Sequence, residues 1–242
     1  MERPHSISGI DYALKNRIQY TLEKLHKYPI RRNDPDIKDA RFEFCNKLMV
    51  EGISYNHNCI FVDESGFNLW IKRGKARSKK GSPAFQIVSS QRKRNISLIA
   101  AMSIHGVEWC ATNNTAHGTN GEVFSEYMKQ LCQYLDRNDA PDQTIIMDNC
   151  AIHKSPIVKD LLGQFPRHKV VYLPAWSPFL NPIEELFSKL KYHVKREYLD
   201  DTRTLLEKME EGLRNISASD CQGWVSHSMS YFPRCLAKED ML

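Results

Sequence analysis

The spacing of apolar residues predicts a helical arm at the start of the chain. Five apolar side chains recur there at the intervals of one helix face: Ile10, Leu14, Ile18, Leu22 and Leu25. Two prolines in the segment KYPIRRNDP interrupt this periodicity, because proline removes a backbone donor and clashes with the preceding turn. A second helix is predicted over residues 36–49, so residues 1–50 are expected to form a short helical arm.

Beyond residue 50, short apolar runs separated by turn residues predict a series of strands. Residues 59–63 have the composition of a buried strand. Residues 95–103 and 108–112 flank the turn sequence His105-Gly106 and are predicted to pair as a hairpin. Two weaker strand candidates lie between these elements, at residues 68–72 and 84–89.

Helices and strands alternate over the rest of the chain. Strands are predicted at residues 144–148 and 169–173. Helices are predicted at residues 121–137, 155–165, 182–198 and 201–216, and residues 218–242 are predicted to form a helical tail. A hairpin followed by alternating helices and strands predicts an α/β fold with a mixed five-stranded sheet flanked by helices.

Composition narrows the class of protein. The chain has 242 residues, 41% of them hydrophobic, which is enough for a substantial core. Its longest apolar run, residues 96–104, is far shorter than the roughly 20 residues of a membrane helix. The seven cysteines include no C-x-x-C pair, which is typical of free thiols in a reducing compartment. We therefore expect no membrane partner, and a nuclear location in a eukaryote or a cytoplasmic one otherwise.

Positive charge is concentrated in one segment. The net charge is only +5, but no Asp or Glu occurs from Ser65 to Val107. Nine basic residues lie in that stretch: Lys72, Arg73, Lys75, Arg77, Lys79, Lys80, Arg92, Lys93 and Arg94. The rest of the chain therefore carries −4, the difference between +5 and +9. Such a cationic face indicates a polyanionic partner, most commonly nucleic acid, although a solvated basic hairpin or a localisation signal would share the composition.

Three carboxylates are the strongest candidates for chemistry. Asp63 closes the apolar run CIFV, Asp148 closes the run TIIM, and Glu184 stands at the start of a predicted helix. Acids at the carboxyl ends of central strands lie in the crevice where open α/β sheets bind ligands. Converging carboxylates repel one another and lose solvation, and a divalent metal such as Mg²⁺ compensates both effects. For either aspartate alone, a turn-capping role is the alternative.

The helix that begins near Glu184 carries further polar side chains. Asn181 can cap it and Pro182 suits its first position, so Glu184 could also belong to a capping box. At 100° per residue, Lys191 and Lys195 lie within about 20° of Glu184 on the helix surface. That face suits a metal ligand followed by phosphate contacts. The same helix is predicted to bury a stripe formed by Ile183, Leu186, Phe187, Leu190 and Val194.

Three segments resemble the motif blocks of mariner-like transposases: VDESGFNLW, IIMDNCAIHKS and YLPAWSPFLNPIEELFSKLK. These transposases belong to the DDE superfamily, together with retroviral integrases. The resemblance covers residues 53–217, and thirty-five residues separate Asp148 from Glu184, close to the family's spacing. It implies a ribonuclease H-like DDE catalytic domain over residues 51–217, with Asp63, Asp148 and Glu184 as the catalytic metal ligands.

The same resemblance implies the reaction and its partners. Two Mg²⁺ (or Mn²⁺) ions would support phosphodiester hydrolysis and transesterification on double-stranded DNA, such as transposon terminal inverted repeats, and the active form would be a homodimer. The positions of Asn149 and His153 recur beside the metal site in the family, so the resemblance implies that Asn149 orients Asp148 or contacts DNA and that His153 contacts the scissile phosphate. The alternative for both is a local hydrogen bond at a turn or helix start. Trp176 could stack on a splayed base, but the residues alone favour packing of its loop.

The beginning of the chain departs from the family pattern. Mariner-like transposases carry two helix-turn-helix units ahead of the catalytic domain, whereas residues 1–50 read as a helical remnant of such a unit and a linker. We expect a truncated copy or a DNA-reading part supplied elsewhere. The leading prediction is a transposase-type DNA endonuclease and strand transferase. The alternatives are a transposase-derived DNA-binding protein without catalysis and a stand-alone ribonuclease H-like nuclease.

Overall fold

The computed structural model describes residues 7–20, 29–69, 83, 95–114, 118–138, 141–196, 199 and 201–241. The chain divides into two compact units, residues 1–30 with residue 242 and residues 31–241. The first unit contributes helix α1 (Ile7–Asn16), which ends before Ile18 in the predicted periodic pattern. The predicted positions Leu22 and Leu25, the nine basic residues of the acid-free segment and the strand candidate at 84–89 lie outside the described residues.

A mixed five-stranded sheet forms the centre of the second unit. Its strands are β1 (Cys59–Phe67), β2 (Ile96–Ser103), β3 (Gly106–Asn113), β4 (Thr144–Met147) and β5 (Lys169–Tyr172), in the order β3-β2-β1-β4-β5. β1, β2 and β3 are antiparallel neighbours, whereas β4 runs parallel to β1 and β5 runs parallel to β4. The predicted mixed sheet of five strands is confirmed.

Strand β1 is longer than predicted. Its parallel pairing with β4 ends at Val62, opposite Met147. Its antiparallel pairing with β2 continues through Asp63, opposite Ala100, as far as Phe67. Asp63 therefore lies inside a strand rather than at its end, because one neighbouring strand stops there and the other does not. The weak strand candidate at 68–72 is wrong at its first two residues, Asn68 and Leu69, which lie beyond the end of β1.

Helices cover the sheet. Those of the second unit are α2 (Pro35–Val50), α3 (Gly121–Arg137), α4 (Pro156–Leu162), α5 (Ile183–Arg196), α6 (Thr202–Arg214), α7 (Ala218–Met229) and α8 (Phe232–Leu236). Short 3₁₀ turns occur at Ile30–Asn33 and Pro178–Leu180. Helix α3 begins where Asn120 caps it by accepting a hydrogen bond from the Val123 N–H. Its bounds match the prediction.

The sheet separates two apolar clusters, because side chains alternate between its faces. On β1, Phe61 belongs to the cluster beneath α2 and α5–α8. Its neighbours Ile60 and Val62 belong to the cluster beneath α3 and α4. The predicted buried stripe of α5 is confirmed at all five positions. This stripe fixes the rotation of α5 and therefore the direction in which Glu184 points.

The end of the chain packs back on α2. Lys238 pairs with Asp39 at 2.7 Å, and Lys38 pairs with Asp240. The Met241 N–H donates to Asn33 Oδ1 at 2.9 Å. Helix α2 therefore belongs to the same compact unit as the sheet. None of the helices in the described ranges is both long enough and apolar enough to span a bilayer.

Candidate active site

The sheet register brings Asp63 and Asp148 to the same edge of the molecule. Val62 and Met147 form the last parallel pair between β1 and β4. Asp63 is the next residue of β1, and Asp148 directly follows the end of β4. The two carboxylates thus occupy equivalent positions at the point where the two strands stop pairing, which opens a crevice at the carboxyl end of the parallel strands.

Glu184 reaches the same crevice from α5. It occupies the first turn of that helix, next to the buried Ile183. A cleft of about 390 Å³ is lined by all three predicted acids, by Asn149 and Cys150, and by the segment from Leu173 to Pro178 with Asn181. The three acids that the sequence singled out therefore face one cavity.

The cleft holds more negative charge than its surroundings neutralise. Burial raises the pKa of Asp63 to about 7, and the charges of Glu184, Asp148 and Glu64 add to this effect. The Glu64 N–H, 2.7 Å from Asp63 Oδ1, opposes it. Reduced solvation in the cleft also raises the pKa of Glu184, although Lys191 opposes that shift. The site is thus short of positive charge.

His153 forms a buried bridge between two acids. Its Nδ1 lies 2.7 Å from Asp148 Oδ1, its Nε2 lies 2.8 Å from Glu64 Oε2, and its ring stacks on Phe124. Burial alone would lower the pKa of His153, but the hydrogen bonds and charges of Asp148 and Glu64 raise it to about 10. Burial would raise the pKa of Asp148, but the hydrogen bond and charge of His153 lower it.

This bridge changes the interpretation of His153. The side chain is fully buried and both ring nitrogens face carboxylates, so the predicted contact with a scissile phosphate does not agree with its position. It holds Asp148 in place instead, a role that the sequence suggested only for Asn149. The sequence offered no reason to assign a role to Glu64, the other partner of His153, beyond its position directly after Asp63.

Asn181 is a second residue whose role differs from the prediction. Helix α5 begins at Ile183, and the buried Asn181 side chain donates from Nδ2 to Asp63 Oδ2 at 3.3 Å. Only its backbone carbonyl accepts from the helix, from the Glu184 N–H at 3.2 Å. Its Oδ1 is buried without a hydrogen-bond partner. Asn181 therefore positions Asp63.

The predicted DNA contacts are only partly described. Asn149 is exposed and lines the cleft. Lys191 lies near Glu184, with its ammonium 5.7 Å from the centre of the Phe67 ring, and Lys195 is exposed further along α5. The basic residues of the acid-free segment lie outside the described residues, so their contact with DNA stays a prediction.

The donor set of the cleft fits a hard divalent cation. Carboxylate and amide oxygens are the ligands that Mg²⁺ and Mn²⁺ accept. Burial first, and the neighbouring acids after it, raise the pKa of Asp63, and a bound cation would oppose both effects. Within the described ranges, no three His, Cys, Asp or Glu side chains are already arranged to hold a metal ion. The cleft therefore suits a divalent cation by its ligand types and its charge, not by a preformed coordination geometry among the described residues.

Comparisons with solved structures agree with the fold. The mariner Mos1 paired-end complex with Mg superposes with a TM-score of 0.79 at 17% identity, covering 97% of this chain and 71% of the Mos1 chain. The catalytic domain of Mos1 mariner transposase superposes with a TM-score of 0.67 at 14% identity, covering 92% of this chain and all of that domain. The predicted ribonuclease H-like fold is confirmed.

Sequence comparisons give the family. A Shigella sonnei protein, the uncharacterized 39 kDa protein of insertion element IS630, is 26% identical over 189 residues, which cover 78% of this chain and 53% of the relative. The chain thus spans about half the length of that relative. The family described as DDE superfamily endonuclease matches residues 58–206, which contain all three acids and more than half of the chain. The protein therefore belongs to the DDE superfamily of endonucleases.

Proposed function

We propose that this protein is a transposase-type DNA endonuclease and strand transferase that depends on divalent metal ions. The observation that carries the proposal is the cleft in which Asp63, Asp148 and Glu184 meet where β1 and β4 stop pairing. Family membership and the likeness to Mos1 transposase structures, one of them described with Mg, support it.

In this proposal the three acids hold two Mg²⁺ or Mn²⁺ ions. When bound, two such ions activate an attacking oxygen and stabilise the leaving oxygen of an in-line phosphoryl displacement. In hydrolysis, water forms a bond to phosphorus as the bond to the leaving strand oxygen breaks. In strand joining, a 3′-hydroxyl takes the place of water.

The residues around the acids fix the ligands in place. His153, held by Glu64, keeps one oxygen of Asp148 directed into the protein and leaves the other for the cleft. Asp63 is held at both oxygens, because the Asn181 amide donates to Oδ2 and the Glu64 N–H donates to Oδ1. Such support lowers the cost of ordering the ligands when charge enters the cleft.

Double-stranded DNA is the proposed substrate. Lys191 and Lys195 extend from Glu184 along α5, and Asn149 stands at the cleft opening, so these three would contact phosphates beside the reacting group. The basic residues of the acid-free segment would add further contacts. Because the Mos1 structures include a paired-end complex, we propose transposon ends as the DNA and a homodimer as the active form.

A cleavage assay tests the proposal. The full chain is incubated with double-stranded DNA in Mg²⁺, Mn²⁺ or EDTA and compared with Asp148→Ala. The matched control is Asp160→Asn, an exposed carboxylate on α4 outside the cleft. We expect metal-dependent cleavage by the wild type and the control, and a loss of at least about 100-fold in Asp148→Ala.

Three other outcomes would contradict it. Equal cleavage by Asp148→Ala would exclude the assigned site. DNA binding without cleavage in either metal would support a transposase-derived binding protein. Preferred cleavage of the RNA strand in an RNA–DNA hybrid would support a stand-alone nuclease of the ribonuclease H type.

A further inference from the structure

Trp176 has an unusual position in the wall of the catalytic cleft. Its backbone φ is 57°, in the left-handed region that bulky side chains rarely adopt. Its side chain is 47% exposed, and it lines the cavity that Asp63, Asp148 and Glu184 share. A large apolar ring is thus held in an unfavourable backbone conformation and left open to solvent beside the reacting groups. Strain of this kind persists only where the surrounding structure enforces it.

Buried Arg41 holds this backbone conformation through hydrogen bonds to Trp176 and Ser177. Its side chain is 1% exposed, its Nε donates to Ser177 Oγ at 2.9 Å, and its Nη2 donates to the Trp176 carbonyl at 3.2 Å. The Ser177 hydroxyl in turn donates to the Ala175 carbonyl at 3.0 Å. A buried guanidinium that bonds to both residues fixes the loop rigidly.

Other side chains of the loop anchor it to the core. Phe179 lies beneath the guanidinium groups of Arg32 and Arg41, at 5.0 and 5.4 Å, and against Tyr231 at 4.8 Å. Leu180 is fully buried, and its carbonyl accepts from the Tyr55 hydroxyl at 3.0 Å. These neighbours anchor the loop to the core, so the indole of Trp176 is available to a ligand.

We propose that Trp176 is a stacking platform for an unpaired base of the DNA strand in the cleft. The inference rests on the proposed function and deepens it by naming the form of the substrate. The uncharged indole offers a flat apolar face beside the acids. Aromatic side chains bind any base by stacking, but bases inside a duplex have both faces covered. Trp176 therefore selects DNA whose strand is open beside the scissile phosphate.

A binding experiment tests the platform. Two DNAs are compared in EDTA, where a metal-dependent enzyme leaves both intact: a blunt duplex, and the same duplex with a short single-stranded 3′ extension containing 2-aminopurine. Trp176→Leu removes the aromatic face and Trp176→Phe keeps one. The matched control is Tyr192→Leu, which removes another exposed aromatic ring, on α5 and outside the cleft lining.

We expect three results. Trp176→Leu weakens binding to the extended duplex by about 5- to 150-fold and leaves binding to the blunt duplex unchanged. The wild type, Trp176→Phe and Tyr192→Leu quench the 2-aminopurine fluorescence, whereas Trp176→Leu does not. If Trp176→Leu lost the same affinity for both DNAs, or lost affinity for neither, the inference would be overturned.

A second variant keeps the test independent of folding. Trp176→Gly removes the ring at a position where glycine adopts φ 57° without strain, so its thermal midpoint should be no lower than that of the wild type while its binding defect matches Trp176→Leu. Metal-dependent cleavage by the wild type with no stacking effect would end the inference and leave the proposed function intact. A stacking effect without cleavage in any metal would contradict the proposed function and leave the stacking role standing. A wild type that binds neither DNA and cleaves in no metal would end both.

Discussion

His153 Nδ1 lies 2.7 Å from Asp148 Oδ1, so a fully buried imidazolium fixes one oxygen of a cleft carboxylate. The opposite ring nitrogen is held by Glu64 at 2.8 Å. A buried cation behind the cleft wall thus neutralises part of the charge of Asp148, and the raised pKa of His153 keeps it protonated at neutral pH. Among the described residues, by contrast, Asp63 accepts only from the neutral amide of Asn181 and the backbone N–H of Glu64, and its pKa rises.

Removing the bridge should destabilise the fold. His153→Ala leaves Glu64 without its ring partner and opens a cavity next to Phe124, at a cost of about 2–4 kcal/mol in the free energy of unfolding. Urea denaturation at pH 7 measures it. The matched control is His57→Ala, an exposed histidine, for which we expect a change within about 0.5 kcal/mol. A similar small change for His153→Ala would refute the bridge.

The same bridge predicts a dependence on pH. The folded-state pKa of His153, about 10, lies above its ordinary value of 6.5. The stability that protonated His153 contributes is therefore fully present below pH 6.5 and is lost as the pH rises towards 10. Denaturation of the wild type and His153→Ala across this range should show their difference shrinking with increasing pH. A difference that is constant or grows would contradict the assignment.

Asp63→Asn should stabilise the metal-free protein at neutral pH. Burial and the neighbouring acids raise the folded-state pKa of Asp63 from 3.8 to about 7, so its charged form opposes folding increasingly as the pH rises from 3.8 to 7. The neutral amide avoids this cost, and we expect a gain of about 1–2 kcal/mol above pH 7, after allowance for solvent screening in the open cleft. Below pH 4 the gain should vanish. Urea denaturation in EDTA at pH 8 measures the expected gain in stability, and the same measurement at pH 4 should show none.

Adjacent glutamates on α5 provide a test of the metal site. Glu184 lines the cleft, whereas Glu185 Oε1 lies 3.3 Å from His227 Nδ1 on α7. Mg²⁺ at 100 times its dissociation constant should stabilise the wild type by about 2.7 kcal/mol, seen as a rise in thermal midpoint over EDTA. Glu184→Gln should lose most of that rise and Glu185→Gln should keep it. Equal responses of the two variants would exclude Glu184 as a ligand.

Local periodicity predicted the elements well, because it depends on residues close in sequence. The bounds of α3 and the buried stripe of α5 both follow from it. The contacts that shape the site are not local. Glu64 and His153 are 89 positions apart, and Arg41 reaches the Trp176 carbonyl across 135. No spacing rule connects such pairs, so the motifs indicated the three acids, His153 and Asn181, but not Glu64 or Arg41. The extension of β1 past Asp63 was missed for the same reason, since it depends on pairing with β2.

Two helical glycines should respond in opposite ways to alanine. On α6, a Cβ at Gly212 would stand 2.5 Å from Leu190 Cδ1 and 2.9 Å from His193 Cδ2, both on α5. Leu190 is fully buried and cannot move aside, so Gly212→Ala should cost about 1–3 kcal/mol despite the better helix propensity of alanine.

Gly223 on α7 is the matched control for this close approach. A Cβ there meets nothing within 4 Å, so Gly223→Ala should stabilise the protein by about 0.5–1 kcal/mol through helix propensity alone. Urea denaturation of both variants measures the difference. Because α5 also carries Glu184, Gly212→Ala should weaken the Mg²⁺-induced rise in thermal midpoint as well, whereas Gly223→Ala should preserve it. Stabilisation by both substitutions would show that α5 and α6 are not in the close contact that holds Glu184 at the cleft.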